Sequence, residues 1–131
     1  MTILKGFNCN PPATERIIEK FKKTCTFTIP QDYLEFMKLS NGGEGCIGQN
    51  VYAIFWKLTE LAQFNKDYEV QACAPELFLF GSDGGGEAFA FDTRQTPASI
   101  VMIPFVGMEL ESAQEVGRTF WDFLEYLYHL D

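Results

Sequence analysis

Histidine occurs once in the 131 residues, at position 129, and that scarcity removes the commonest catalytic devices. A Ser-His-Asp or Cys-His arrangement would have to take its base from a residue near the end of the chain, where backbones fray. Zinc sites built on His and Cys lack ligands for the same reason. Cysteine is sparse as well: Cys9, Cys25, Cys46 and Cys73 include no C-x-x-C pair, so no redox or metal pair is readable. A chain of this size with ample apolar material does not need disulfides, and the cysteines read as small hydrophobes in a reducing compartment. No run approaches about 18 apolar residues, so no helix is expected to span a membrane. Met1 to Phe7 has no secretory h-region, and a cytoplasmic location is expected. Cations are outnumbered, with 10 Lys and Arg against 18 Asp and Glu, for a net charge of −8. Direct nucleic-acid binding needs a basic face and is not expected. An acidic surface favours solubility, or steers a basic protein partner.

What is present is core. The chain is 47% hydrophobic and 15% aromatic, with 13 Phe residues. That composition fits one domain over residues 1–131, with no linker, repeat or low-complexity tract. Asn10-Pro11-Pro12 announces a first helix, with Asn as cap and Pro in the first turn. Ile17, Ile18 and Phe21 give it an apolar stripe, and it ends near Thr24. A second helix opens at Pro30, buries Tyr33, Leu34, Phe36 and Met37, and stops at Asn41-Gly42-Gly43 with a left-handed C-cap. A strand pair follows over Cys46–Ile47 and Val51–Trp56, then a short helix capped by Thr59 and running toward Asn65. Ile100 to Pro104 reads as a strand ended by proline, and Ala113 to Val116 as another. Thr119 with Asp122 is a capping-box pattern that opens a last helix. Helices, then mostly strands, then a helix predict an α+β fold with a largely antiparallel central sheet flanked by the N-terminal and C-terminal helices.

The most informative segment is Phe80-Gly81-Ser82-Asp83-Gly84-Gly85-Gly86-Glu87-Ala88-Phe89-Ala90-Phe91-Asp92, between two apolar runs of strand length. A bulged hairpin needs the fewest assumptions, because Asp83-Gly84 is a strong turn dipeptide. A phosphate loop would require Lys and Ser or Thr after the last glycine, where Glu87 stands instead. Asp83, Glu87 and Asp92 are hard oxygen donors for calcium or magnesium, but their spacing does not match a calcium loop. Carboxylates are also the only enzymatic option: Glu44, Asp83, Glu87 and Asp92 lie near predicted turns, where two could meet as acid and base. A solvated acidic rim explains them equally well. Tyr52 and Phe55 or Trp56 alternate along a predicted strand, so Trp56 is either a core plug over the sheet or an exposed binding anchor.

Several blocks, taken in order, resemble the SUKH superfamily, whose name-giving member is a fungal cell-wall assembly regulator. They are Ile29 to Phe36 closing with Asn41-Gly42-Gly43, then Trp56 with Leu58–Leu61 and Asn65–Tyr68, then Phe80 to Asp92, and finally Thr119 to Leu124. The likeness spans about residues 12–127. It implies an α+β binding protein without catalytic residues or a cofactor. Bacterial members are mostly thought to be immunity proteins that bind polymorphic toxins, often nucleases or deaminases. Within the resemblance, Pro30, Tyr33, Asn41, Gly42, Gly43, Gly81, Gly84, Gly86 and Asp92 are expected to serve structure. Glu44, Trp56, Asp83 and Glu87 are expected to meet a protein partner, most simply a basic toxin domain. A regulatory scaffold with another partner and a carboxylate-based hydrolase are the alternatives, and edge strands leave a homodimer open.

Overall fold

The computed structural model describes residues 2–130. Among them, seven strands form a single sheet whose spatial order is the chain order. They are β1 (Phe7–Cys9), β2 (Gly43–Ile47), β3 (Val51–Phe55), β4 (Leu77–Ser82), β5 (Glu87–Asp92), β6 (Ser99–Pro104) and β7 (Gln114–Gly117). Every neighbouring pair is antiparallel. Five α-helices accompany them: α1 (Glu15–Thr24), α2 (Gln31–Leu39), α3 (Leu61–Asp67), α4 (Val70–Cys73) and α5 (Phe120–His129). The α+β architecture is the expected one.

Residues paired across an antiparallel ladder point to the same side. The row Phe55, Gly81, Phe89, Met102 therefore faces one side, and the row Glu44, Ile54, Ser82, Ala88, Ile103 the other. The first face is an aromatic core closed by α2 and α5. Phe80 stacks on Phe91 at 4.5 Å, Tyr33 meets Phe91 edge-on at 5.0 Å, and Phe123 meets Phe89 at 4.9 Å. Such pairs contribute about 0.5–1.5 kcal/mol each beyond the area they bury. The second face is covered over its middle by α3. There the Asn65 side chain clamps β4, accepting from Leu79 N at 2.8 Å and donating to Leu79 O at 2.9 Å.

Several local expectations are corrected. Helix α1 is capped by Thr14, whose hydroxyl accepts from Ile17 N at 3.2 Å, and not by Asn10. Prolines 11 and 12 hold the chain extended past Asn10, whose side-chain amide instead donates to Asn41 O. Helix α2 does begin after Pro30, but its C-cap Ser40 is extended and the left-handed residue is Gly42, two positions on. Thr59 does not cap α3: Leu58–Glu60 form a 3-10 turn, with Glu60 accepting from Lys57 N at 3.1 Å. Strand β2 reaches back to Gly43. β1 and α4, at three and four residues, are too short to carry a period and give no signal in the sequence. The hairpin of β4 and β5 is bulged as expected, with a register shift between Leu79 and Gly81.

Tyr33 is fully buried, and its hydroxyl has no hydrogen-bond partner among the described residues. Burial pushes its pKa well above the ordinary tyrosine range. An orphaned buried hydroxyl costs about 1–3 kcal/mol. Tyr33→Phe keeps the ring contacts with Phe80, Phe91 and Phe120. It is expected to raise the unfolding free energy by about 1 kcal/mol, read as a higher urea midpoint. A lower midpoint would mean that the hydroxyl is hydrogen-bonded after all.

Candidate functional site

The cover on the second face stops short of β2 and β3. Glu44, Cys46 and Tyr52 are exposed there, and Ile54 is half-buried. Cys46 lies directly opposite Tyr52. Diagonally across the same face, the Tyr52 hydroxyl donates to Glu44 Oε2 at 2.6 Å, and that bond raises the phenol's pKa. A Cβ on Gly84, at the tip of the β4–β5 hairpin, would stand 3.4 Å from the Tyr52 ring and 3.5 Å from Ile54 Cδ1. The hairpin tip thus leans onto β3, and Glu44, Tyr52, Ile54 and the tip form one continuous face.

The loop holds its shape by side chain-to-backbone bonds of the Asx type. Asp83 Oδ1 accepts from Gly85 N at 2.8 Å and Glu87 N at 3.2 Å. Ser82 Oγ accepts from Gly84 N at 3.0 Å and donates to Glu87 O at 3.1 Å. Asp83, expected to meet a partner, is thereby committed through Oδ1 to building the turn. Glu87 is half-buried, and burial, followed by the neighbouring Asp83, raises its pKa. Gly86 O accepts from Phe105 N at 2.9 Å, which ties the tip to the end of β6.

Trp56 is 8% exposed and stacks on Phe64 at 4.2 Å, so of its two readings the structure supports the core plug and not the surface anchor. Tyr68 lies nearly parallel beside that pair, 6.2 Å from Trp56 and 6.4 Å from Phe64, and its ring is 4.6 Å from Phe105. Tyr68 is 42% exposed, and beyond it Val106 is 90% exposed. Sequence reasoning passes over both. Phe64 and Tyr68 stand four apart, which is helical spacing, but only the position of Trp56 turns that spacing into a stack.

The motif residues mostly hold backbone. Asn41 Oδ1 accepts from Leu58 N at 3.0 Å, fixing the chain that leads into α3. Gly81 lies against Ile54 O, where a side chain would collide. Asp92, buried at the end of β5, takes two bonds from the Arg94 guanidinium, at 3.0 and 2.8 Å. Those bonds hold its carboxyl below the usual carboxylate range, against the opposing effect of burial. A depressed carboxylate adds stability that is present above its unfolded pKa and is lost as pH falls through the folded one. Arg94→Gln is therefore expected to lower stability at pH 7, with the deficit fading below about pH 4. The Arg94 side chain is 54% exposed, so solvent screening keeps the deficit small; paired urea melts at pH 7 and pH 3 check it.

Among the described residues, no three His, Cys, Asp or Glu side chains gather as a metal ion requires. His129, on the last turn of α5, lines a hollow with Lys5, Gln49 and Asn50 that includes none of Glu44, Asp83 or Glu87. No helix of the described residues is long and apolar enough to cross a membrane. The four cysteines are unpaired. Charge is strongly polarised along the chain. Residues 1–66 carry eight cations and six carboxylates, whereas residues 67–131 carry two cations, Arg94 and Arg118, and twelve carboxylates. No curated protein sequence matches the chain. The model of the SMI1 / KNR4 family (SUKH-1) matches residues 12–126, and the chain belongs to that family.

Proposed function

We propose that the chain is a non-catalytic protein-binding module of the immunity type, which captures and neutralises a basic toxin domain in the cytoplasm. The observation that carries this reading is the face formed by Glu44, Tyr52 and the hairpin tip at Gly84, with Glu87 at the base of the same loop and, by strand alternation, on the opposite side of the sheet. Its hairpin belongs to the acidic stretch of the chain, where Arg94 is already bound to Asp92. An exposed carboxylate beside a tyrosine combines steering with anchoring: the charge accelerates encounter with a cationic surface, and the ring supplies contact area once it is reached. A nuclease toxin binds a polyanion and so presents a cationic cleft, which this face complements. Family membership supports a binding role, and the unpaired cysteines suit a reducing compartment.

The test is a tagged pull-down from the source cell at low salt, read by mass spectrometry, beside a Glu44→Lys/Glu87→Lys variant. A basic toxin-like protein that elutes with rising salt and escapes the variant is the expected result. Recovery of a regulatory protein instead would replace the toxin reading with a scaffold. Equal capture by both proteins would remove the face from the interface.

A further inference from the structure

The acidic face accounts for Glu44, and the loop for Glu87, but an apolar patch is left unexplained on the other flank of the hairpin. Val106 sits on a turn completed by Gly107 at φ +64, and at 90% it is the most exposed of the large exposed hydrophobic residues. Beside it, Tyr68 shows 42% of its surface while its ring rests on Phe105. Behind them, the stacked pair of Phe64 and the buried Trp56 flanks the tyrosine ring. A ring held this way loses little rotamer freedom on binding, so its contact area is converted to affinity with a small entropic penalty. The patch adjoins the acidic loop directly. Phe105 N donates to Gly86 O, and Pro104 lies opposite Glu87 in the β5–β6 ladder.

Resting on the binding reading above, we infer that Tyr68, Phe105 and Val106 form an apolar anchor coupled to the acidic hairpin, and that the docking segment of the partner interleaves arginine with aliphatic side chains. Charge selects a cation, because residues 67–93 contain no Lys or Arg at all. Two exposed tyrosines, Tyr52 and Tyr68, select arginine over lysine, since a guanidinium stacks on an aromatic face while it pairs with a carboxylate. Val106 and Phe105 select the aliphatic members, which a uniformly basic segment would leave unmatched. A division of labour follows. Carboxylates set the association rate and its salt dependence, and the apolar anchor sets the dissociation rate.

Two synthetic peptides of equal length and charge serve as probes, one alternating arginine with leucine and the other lysine with serine. Each is titrated into the isotopically labelled full chain and followed by amide chemical shifts. The arginine–leucine peptide is expected to bind about tenfold more tightly and to shift residues 68, 84–87 and 105–107. Val106→Ser, at a position too exposed to matter for folding, is expected to remove most of that advantage and leave lysine–serine binding unchanged. Equal affinities for the two peptides, or an unaffected Val106→Ser protein, would overturn the anchor while the acidic face stands. Glu44→Gln/Glu87→Gln is expected to weaken both peptides, and unchanged binding there would sink the underlying reading instead.

Discussion

Asp32→Ala is expected to lower the unfolding free energy by about 2–3 kcal/mol, although Asp32 lies in the first turn of α2 and carries no core side chain. The reason lies at the far end of the chain. Asp32 Oδ1 accepts from Phe120 N at 3.1 Å, and Oδ2 accepts from Trp121 N at 2.8 Å. These are two of the donors that the start of a helix leaves without intrahelical partners. Thr119 Oγ1 satisfies a third, at Asp122 N. A carboxylate in this place makes charge-assisted bonds and also meets the positive end of the α5 dipole. Removing it leaves two backbone donors unpaired and unties α5 from α2, the two helices that close the aromatic core. Asp32→Asn keeps an acceptor without the charge and is expected to cost about half as much. Urea melts of both variants are the measurement. A loss below about 0.5 kcal/mol for Asp32→Ala would mean that Thr119 caps α5 unaided.

That bond marks where the sequence stops being legible. The Thr119 cap is readable because cap and donor stand three residues apart, whereas Asp32 and Phe120 are 88 apart and no local pattern links them. The hairpin is readable for the same local reason: Asp83-Gly84 between two apolar runs specifies a turn, whereas its register shift falls earlier, between Leu79 and Gly81, away from the extra glycines. In contrast, β1 gives no signal, because three residues with one buried side chain cannot show alternation. The candidate site divides in the same way. Glu44 stands out in the sequence, but its bond to Tyr52 needs the register between β2 and β3, which sequence does not supply. Trp56 draws attention by its size. Yet exposure falls on Tyr68, because the indole is the inner member of a stack whose outer member comes from the end of α3.

Glycines that look alike in sequence are expected to respond very differently to alanine. Gly42→Ala should cost about 3 kcal/mol or more, or yield no folded protein at all, while Gly86→Ala should change stability by less than about 0.5 kcal/mol. Gly42 adopts φ +78, where an L side chain costs about 1 kcal/mol by itself. Its Cβ would also overlap the carbonyl oxygen of Phe55 and stand 2.9 Å from the backbone of Trp56. Those are main-chain atoms of β3 and its continuation, and they cannot rotate away. Relief requires β2 to move off β3, which would displace Asn41 from Leu58 N and so disturb the approach to α3 and the Trp56 stack. At Gly86, by contrast, a Cβ would meet nothing within 4 Å, and this residue is not among the glycines with positive φ. Its alanine variant therefore adds a methyl group at the hairpin tip, beside Phe105, without straining the fold. Urea midpoints measure the contrast, and the probe peptides extend it to binding. A Gly86→Ala protein of unchanged stability with altered peptide affinity would separate the tip's part in recognition from its part in folding.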